Sequence, residues 1–284
     1  MTLTSTRALM DRAAAAGTGL GSFNVLHLET AEAIIQGAEA VGLPVILQIS
    51  QNCVAYHGSL EPLGVACLAV AAGARVPVAL HLDHADDEEL VYEAVRLGFS
   101  SVMYDGAHLP YGENVAATSR VVKHAEPYGV YVEAELGRVG GKNGAHYPGV
   151  RTDPFEAADF ALSTGVDALA VAVGSSHAMT TRSARLDLGL IRELRGALDI
   201  PLVLHGSSGV PDAMLVAAIT AGLTKINVST HLNGFFTRAV RQVLGNDQDL
   251  VDSRTYLSAG RSALASEAGR LLSLFARAVP ADLD

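Results

Sequence analysis

The stretch Val78-Ala-Leu-His-Leu-Asp-His-Ala-Asp86 is a short apolar run that ends in ionisable side chains. Two further runs end the same way, Ala168-Leu-Ala-Val-Ala-Val-Gly-Ser-Ser-His177 and Pro201-Leu-Val-Leu-His-Gly-Ser-Ser-Gly209. Apolar runs of this length, bounded by Gly, Ser and Asp, read as buried strands. Asp83, His84, His177 and His205 then stand at or just past strand ends. Strands that end together bring their last residues together, so three imidazoles and a carboxylate converge on one pocket. Three histidines with a fourth position open suit a catalytic zinc. A lone histidine is more commonly a hydrogen-bonded core or loop residue. Three at the ends of separate strands favour a metal, with Asp83 beside it as general acid/base; its bland role is to cap the helix that follows.

Outward from these runs, β-rich segments recur at 21–26, 45–50, 77–83, 101–105, 130–136, 168–174, 202–205 and 225–229. Helical spacing fills 29–41, 61–74, 86–97, 113–128, 154–164, 188–198, 211–221 and 232–244. Each strand is followed by one helix, which predicts parallel strands joined by right-handed crossovers. Eight such units in roughly 250 residues predict an α/β fold, a closed (β/α)8 TIM barrel. A doubly wound open sheet is the alternative, but no GxGxxG follows the first strand. An N-terminal helix (4–15) and a C-terminal helical extension (253–279) complete one barrel domain over residues 1–284, with no linker or repeat.

The 284 residues are 49% hydrophobic, enough for a large core, and carry a net charge of −10. That charge, with no Lys/Arg run, argues against nucleic acid or an anionic membrane as partner. It leaves an anionic small molecule open, since local dipoles and a metal overrule global charge. The first 20 residues lack the uninterrupted apolar stretch of a signal peptide, and no run reaches the roughly 18 residues that span a bilayer. Cys53 and Cys67 make no disulfide framework and read as core residues of a cytoplasmic protein.

Side chains alternate along a strand, so Asp83 points into the barrel mouth while Leu80 and Leu82 face the helices. Glu133 and Glu135 share one face, as do Lys225, Asn227 and Ser229. An inward carboxylate and an inward ammonium each need a partner, so Glu133 and Lys225 are expected to form a structural pair. Two segments offer backbone N–H groups and hydroxyls to an anion: Gly206-Ser207-Ser208 ahead of Pro211, and Asn227-Val228-Ser229-Thr230. Both precede helices, and barrels often bind phosphate after strands seven and eight. Five glycines among residues 137–149 suggest a lid over the mouth, although a simple flexible connection has the same composition.

Taken in order, these motifs resemble the class II, metal-dependent ketose-bisphosphate aldolases, the fructose- and tagatose-bisphosphate aldolase family. The resemblance runs from Phe23-Asn24 to Ala259-Gly260 and includes HLDHAD (81–86), GFSSVMYDG (98–106), VEAELGRVGG (132–141), GSSH (174–177), LHGSSG (204–209) and KINVST (225–230). It implies a (β/α)8 barrel, commonly a homodimer or homotetramer. It implies that His84, His177 and His205 hold Zn2+ and that Asp83 moves the proton of the cleaved alcohol. Glu135 and Asp105 match positions linked to a second or alternative metal site, and the family pattern allows one catalytic Zn2+ with a possible second or monovalent cation. Gly206–Ser208 and Asn227–Thr230 match segments that hold dihydroxyacetone phosphate, and Asn24 and Ser50 match further contacts to the phosphosugar.

Three positions depart from the family pattern. The lid reads Lys142-Asn143 where acidic residues are expected, with His146 or Tyr147 as substitute bases. Ala178 stands where glycine is usual, with Arg182 as a replacement positive charge, and Ser229 where acidic or small residues occur. The expected activity is zinc-dependent cleavage of a ketose (bis)phosphate, such as fructose- or tagatose-1,6-bisphosphate, to dihydroxyacetone phosphate and an aldehyde. Alternatives are an aldolase for another ketose phosphate, such as the keto-deoxy acid phosphate of inositol breakdown; an epimerase on the same metal; and a non-catalytic phosphosugar-binding relative. Lys225 is the alternative nucleophile.

Overall fold

In the computed structural model, which describes residues 3–136 and 151–277, eight parallel strands close into a barrel in sequence order. They are β1 (Leu20–Asn24), β2 (Val45–Ser50), β3 (Val78–Ala85), β4 (Ser101–Tyr104), β5 (Tyr131–Leu136), β6 (Ala168–Val171), β7 (Leu202–Leu204) and β8 (Leu223–Val228). The barrel shuts where β1 pairs with β8, Ser22 opposite Asn227. The helices are α1 (Thr6–Ala16), α2 (Leu28–Val41), α3 (Gln51–His57), α4 (Glu61–Gly73), α5 (Glu88–Leu97), α6 (Tyr111–Ala125), α7 (Pro154–Thr164), α8 (Leu188–Ala197), α9 (Asp212–Ala221), α10 (Thr230–Asn246) and α11 (Ser253–Phe275). Each expected strand and helix is present. Among the described residues no single helix is long and apolar enough to cross a membrane.

Strand alternation divides the core into two layers. Outward residues such as Leu80, Leu82, Ile226 and Val228 pack under the helices. Inward residues Ile46, Ala79, Met103, Tyr131, Ala168 and Val203 fill the lower barrel, where Leu9, Met10 and Ala13 of α1 join them. The N-terminal helix is thus a plug for the end opposite the site, and Thr4 N–H donates to the Val78 carbonyl at the start of β3. Polar and ionisable side chains, Gln48, Asp83, Glu133, Glu135, His205, Lys225 and Asn227 among them, are buried in the upper interior toward the C-terminal mouth.

Differences from the sequence expectation are local. Helix α3 was not expected: it follows β2 directly, Ser50 Oγ accepts from Cys53 N–H at its start, and Cys53 is its one buried residue, so it carries no amphipathic signal. Asp83 caps nothing; Asp87 is the N-cap of α5, its side chain accepting from Glu89 N–H. β6 ends at Val171, three residues before Gly174, because the chain there turns into the loop that carries His177.

Candidate active site

Four side chains at the barrel mouth each place one donor atom within 4.8 Å of the others: His84 from β3, Glu135 from β5, His177 from the loop after β6 and His205 past β7. Strict alternation would aim Asp83 inward and His84 outward. Instead both line one cavity of about 290 Å³. The reason lies in the backbone. His84 sits at φ 51°, and the β3–β4 register shifts between Leu82 and Ala85. A left-handed residue at a strand irregularity re-aims a side chain, a costly conformation that recurs at functional sites.

Two of the imidazoles are held by carboxylates. His84 Nδ1 lies 2.8 Å from Asp105 Oδ2, leaving Nε2 for the centre. His205 is gripped on both nitrogens, Nδ1 at 3.0 Å from Glu135 and Nε2 at 3.0 Å from Glu133. Burial pushes the His205 imidazole down, but its hydrogen bonds to Glu133 and Glu135 outweigh burial and raise it to about 9. His205 Nδ1 and Glu135 Oε2 both belong to the donor group at the mouth, so a bound cation would replace the contact between them. Three imidazoles and a carboxylate, each imidazole able to offer a neutral nitrogen, form a donor set that fits zinc or a similar divalent ion.

Asp83 lies 3.3 Å from Asn24 Nδ2 through one oxygen and 3.3 Å from Asn227 Nδ2 through the other. Burial pushes its carboxyl up, but the positive charge of His84, His205 and Lys225 prevails and holds it at about 2. It is therefore an ionised, aimed acceptor. Asn24 is itself fixed by Gln48 Nε2 at 2.7 Å, and Gln48 by the hydroxyl of Ser22. Asn227 Oδ1 is buried at the pocket with no hydrogen-bond partner among the described residues. Such an acceptor calls for a donor from a bound molecule.

The pocket wall also includes Gly206, Ser208, Ser229 and Thr230. Gly206 has φ 67°, and a Cβ there would lie 2.6 Å from the Ser176 backbone, so only glycine lets these loops meet. Ser229 occupies the N-cap position of α10 without a side-chain hydrogen bond, and Ser208 Oγ instead accepts from His231 N–H at 3.1 Å. The N-terminus of α10 thus opens on the pocket, where an anion is favoured.

Most of the expected site residues meet here: Asn24, Ser50, Asp83, His84, His177, Gly206, Ser208, Asn227, Ser229 and Thr230 line the cavity. His205 and Glu135 join them through the donor group rather than as lining residues, and four others bring their side chains to neither. Ser207 turns its hydroxyl to the Asn227 carbonyl, and Val228 packs outward under the helices. Asp105 stands behind His84 rather than in the donor group. Arg182 donates to the Val210 carbonyl at 2.8 Å and pairs with Asp212 at 2.6 Å, at the start of α9. Lys225 is no nucleophile for this cavity: it is fully buried, its Nζ 2.7 Å from Glu133 and 3.3 Å from His81 Nε2. Gln48, Asn52 and Ala178 also line the pocket and were missed. A polar residue at an inward strand position was the available signal for Gln48. The proposed lid, with Lys142, Asn143, His146 and Tyr147, lies outside the described residues.

A sequence profile described as "Fructose-bisphosphate aldolase class-II" matches residues 4–278. The chain belongs to the class II fructose-bisphosphate aldolase family. It is a lyase by that membership, in line with its barrel and mouth cluster. A fructose-bisphosphate aldolase of Geobacillus stearothermophilus is 38% identical over 272 residues, 93% of each chain. One of Staphylococcus epidermidis is equally similar, over 93% of this chain and 94% of its own. Among solved structures, the YdjI aldolase from Escherichia coli K12 superposes with a TM-score of 0.81 at 31% identity, covering 96% of this chain and 97% of that one. A putative fructose-1,6-biphosphate aldolase from Coccidioides immitis gives 0.85 at 26% identity, covering 95% of each. Class II aldolases are metal-dependent in general, which accords with the His84, Glu135, His177, His205 group.

Proposed function

We propose that this class II aldolase is zinc-dependent and cleaves a ketose (bis)phosphate, fructose- or tagatose-1,6-bisphosphate being the leading candidates, to dihydroxyacetone phosphate and an aldehyde. The convergence of His84, His177, His205 and Glu135 on one point beside an ionised Asp83 carries this reading. His84, His177 and His205 would hold the zinc, with Glu135 as a further donor or an alternative site. When bound, the metal supplies Lewis-acid polarisation of the substrate carbonyl, worth several kcal/mol as the carbon–carbon bond breaks.

The remaining steps fall to side chains. Asp83 accepts the hydroxyl proton of the carbon that becomes the aldehyde, and returns it in condensation. Asn24 and Asn227, each donating to one Asp83 oxygen, hold that carboxylate in place. Asn227 Oδ1 accepts from a substrate hydroxyl. The Gly206–Ser208 segment and the start of α10 receive the phosphate of the ketose through backbone N–H groups and the hydroxyls of Ser208, Ser229 and Thr230. Ala178, at φ 58°, lines the pocket beside His177. The protein would act in the cytoplasm as a homodimer or homotetramer.

The deciding experiment is incubation of zinc-loaded protein with dihydroxyacetone phosphate in D2O, following the C3 proton by NMR. Exchange that His205→Ala loses and Asp83→Asn retains supports the aldolase half-reaction independently of the aldehyde. No exchange from loaded, ligand-bound protein would leave a binding protein and sink the proposed activity.

A further inference from the structure

Beneath the metal-binding cluster the barrel interior holds polar groups that the cleavage chemistry does not use. Thr6 of α1 donates to Ser101 Oγ at 2.7 Å. Ser101 Oγ lies 2.8 Å from His81 Nδ1 and donates to the Leu80 carbonyl at 3.3 Å. His81 Nε2 is 3.3 Å from Lys225 Nζ, which is 2.7 Å from Glu133 Oε2. Glu133 Oε1 then meets His205 Nε2 at 3.0 Å. Each of these side chains is buried, and together they run from the plugged end of the barrel to a proposed metal ligand.

The donor and acceptor inventory gives this chain one direction. An ammonium has only donors, so His81 Nε2 and Glu133 Oε2 must both accept from Lys225. His81 therefore carries its proton on Nδ1, pointing at Ser101. Burial and the charge of Lys225 push the His81 imidazole down to about 3, so it is neutral, as an acceptor must be. Glu133 Oε2 lies 2.7 Å from the Lys225 ammonium, which pairs it as a carboxylate. An ionised carboxylate can only accept. His205 must donate to it through Nε2–H, and this leaves Nδ1, on the side of Glu135, His84 and His177, to offer a lone pair.

We propose that Glu133 and Lys225 are positioning residues for metal binding: Lys225 fixes Glu133 as an acceptor, and Glu133 fixes the His205 tautomer that turns Nδ1 to the metal. This rests on the metal reading given above. A pair that merely filled the barrel would be replaceable by apolar residues of similar volume with no effect on the metal, because buried ion pairs contribute little net stability over well-packed apolar groups. A positioning pair would not.

Glu133→Gln is the sharpest probe. Its amide oxygen is claimed by Lys225, which can only donate, so its NH2 group faces His205 Nε2. That geometry favours the opposite tautomer, with the proton on Nδ1. The affinity for zinc alone, measured by competition with a chromophoric chelator, is expected to fall by about 10–100-fold, the usual effect of removing such a supporting partner. Histidine 15N shifts of the zinc-loaded protein report the tautomer directly, and the thermal midpoint without metal reports the fold. Lost affinity with an intact fold supports the inference; unchanged affinity and tautomer overturn it. Should Glu133→Gln not fold, Glu133→Leu combined with Lys225→Met decides. Folded protein with weakened zinc binding supports the positioning role, and folded protein with undiminished binding overturns it. Wild-type protein that binds no zinc would instead remove the metal reading itself.

Discussion

Asp83 is the residue on which the proposed chemistry turns, and its surroundings say how to test it. Both of its oxygens accept from amides, Asn24 on one side and Asn227 on the other, while neighbouring positive charge holds it ionised. Asp83→Asn keeps the volume and removes the base. Turnover of the ketose phosphate is expected to fall by roughly 10²–10⁴, the range for loss of a general base, while bound metal per chain stays unchanged. A variant that loses its metal along with its activity would show Asp83 to be structural support for the cluster. Asp83, His177 and His205 were legible in the sequence because each follows a clear apolar run. His84 was legible only as a neighbour of Asp83: alternation sends it the wrong way, and the left-handed backbone that corrects this has no sequence signature. Arg182 misled for the opposite reason. A cation near the expected phosphate loops looked available, but Val210 and Asp212 claim it, partners that no reading of periodicity reveals.

At the scale of elements, α11 is held against the barrel by two devices of different kinds. One is close packing. A Cβ on Gly37 of α2 would lie 2.3 Å from the Ala265 carbonyl oxygen and 2.9 Å from Gly269 N of α11, so the two backbones touch. Gly37→Ala gains helix propensity but forces the helices apart, and is expected to cost about 1–3 kcal/mol in chemical denaturation. The other device is electrostatic. Glu267 of α11 accepts from His231 at 2.6 Å and from Arg270 at 2.7 Å, while Arg270 also reaches Asp212 of α9 at 2.6 Å. Burial pushes the Glu267 carboxyl up, but the hydrogen bonds from Arg270 and His231 outweigh it and hold it at about 2. A depressed carboxyl contributes stability that is fully present above its unfolded value of about 4.5 and is lost as pH falls toward 2. Solvent around Arg270 screens the pair, so roughly 1 kcal/mol is at stake. Glu267→Gln should lower the thermal midpoint at pH 6, with the gap to wild type narrowing as the pH falls from about 4.5 toward 2. The elements themselves were nearly all legible, since a strand-then-helix alternation survives errors of two or three residues at each boundary. α3 escaped because a short helix with a single buried residue has no periodicity to read.

The whole molecule is a ring whose closure was predictable from a count of eight and whose centre was predictable from where the runs end. What a count could not supply is the charge order down the axis, from Thr6 at the plugged end to His205 at the mouth, because it depends on which inward residues lie at the same height in neighbouring strands. Glu133 stands opposite Ala168 and Lys225 opposite Leu20, and the barrel's curvature, not adjacency, brings the two together. The proposed ligands belong to β3, β5, the loop after β6 and the end of β7, so a bound ion would tie four parts of the ring at one point. Nothing in the unfolded chain would hold those donors together, so metal affinity adds to the stability of the ring. At a free zinc concentration a hundred times the dissociation constant the gain is about 2.7 kcal/mol. For a chain of 284 residues that corresponds to roughly 4–5 °C in the thermal midpoint. Excess chelator should therefore lower the midpoint by that amount, and readdition of zinc should restore it. The same treatment applied to His205→Ala should move the midpoint far less, since the cluster would lack the donor that Glu133 and Glu135 hold in place. A shift of equal size in both proteins would mean that the stabilising ion sits elsewhere, and the mouth cluster would lose its claim to the metal.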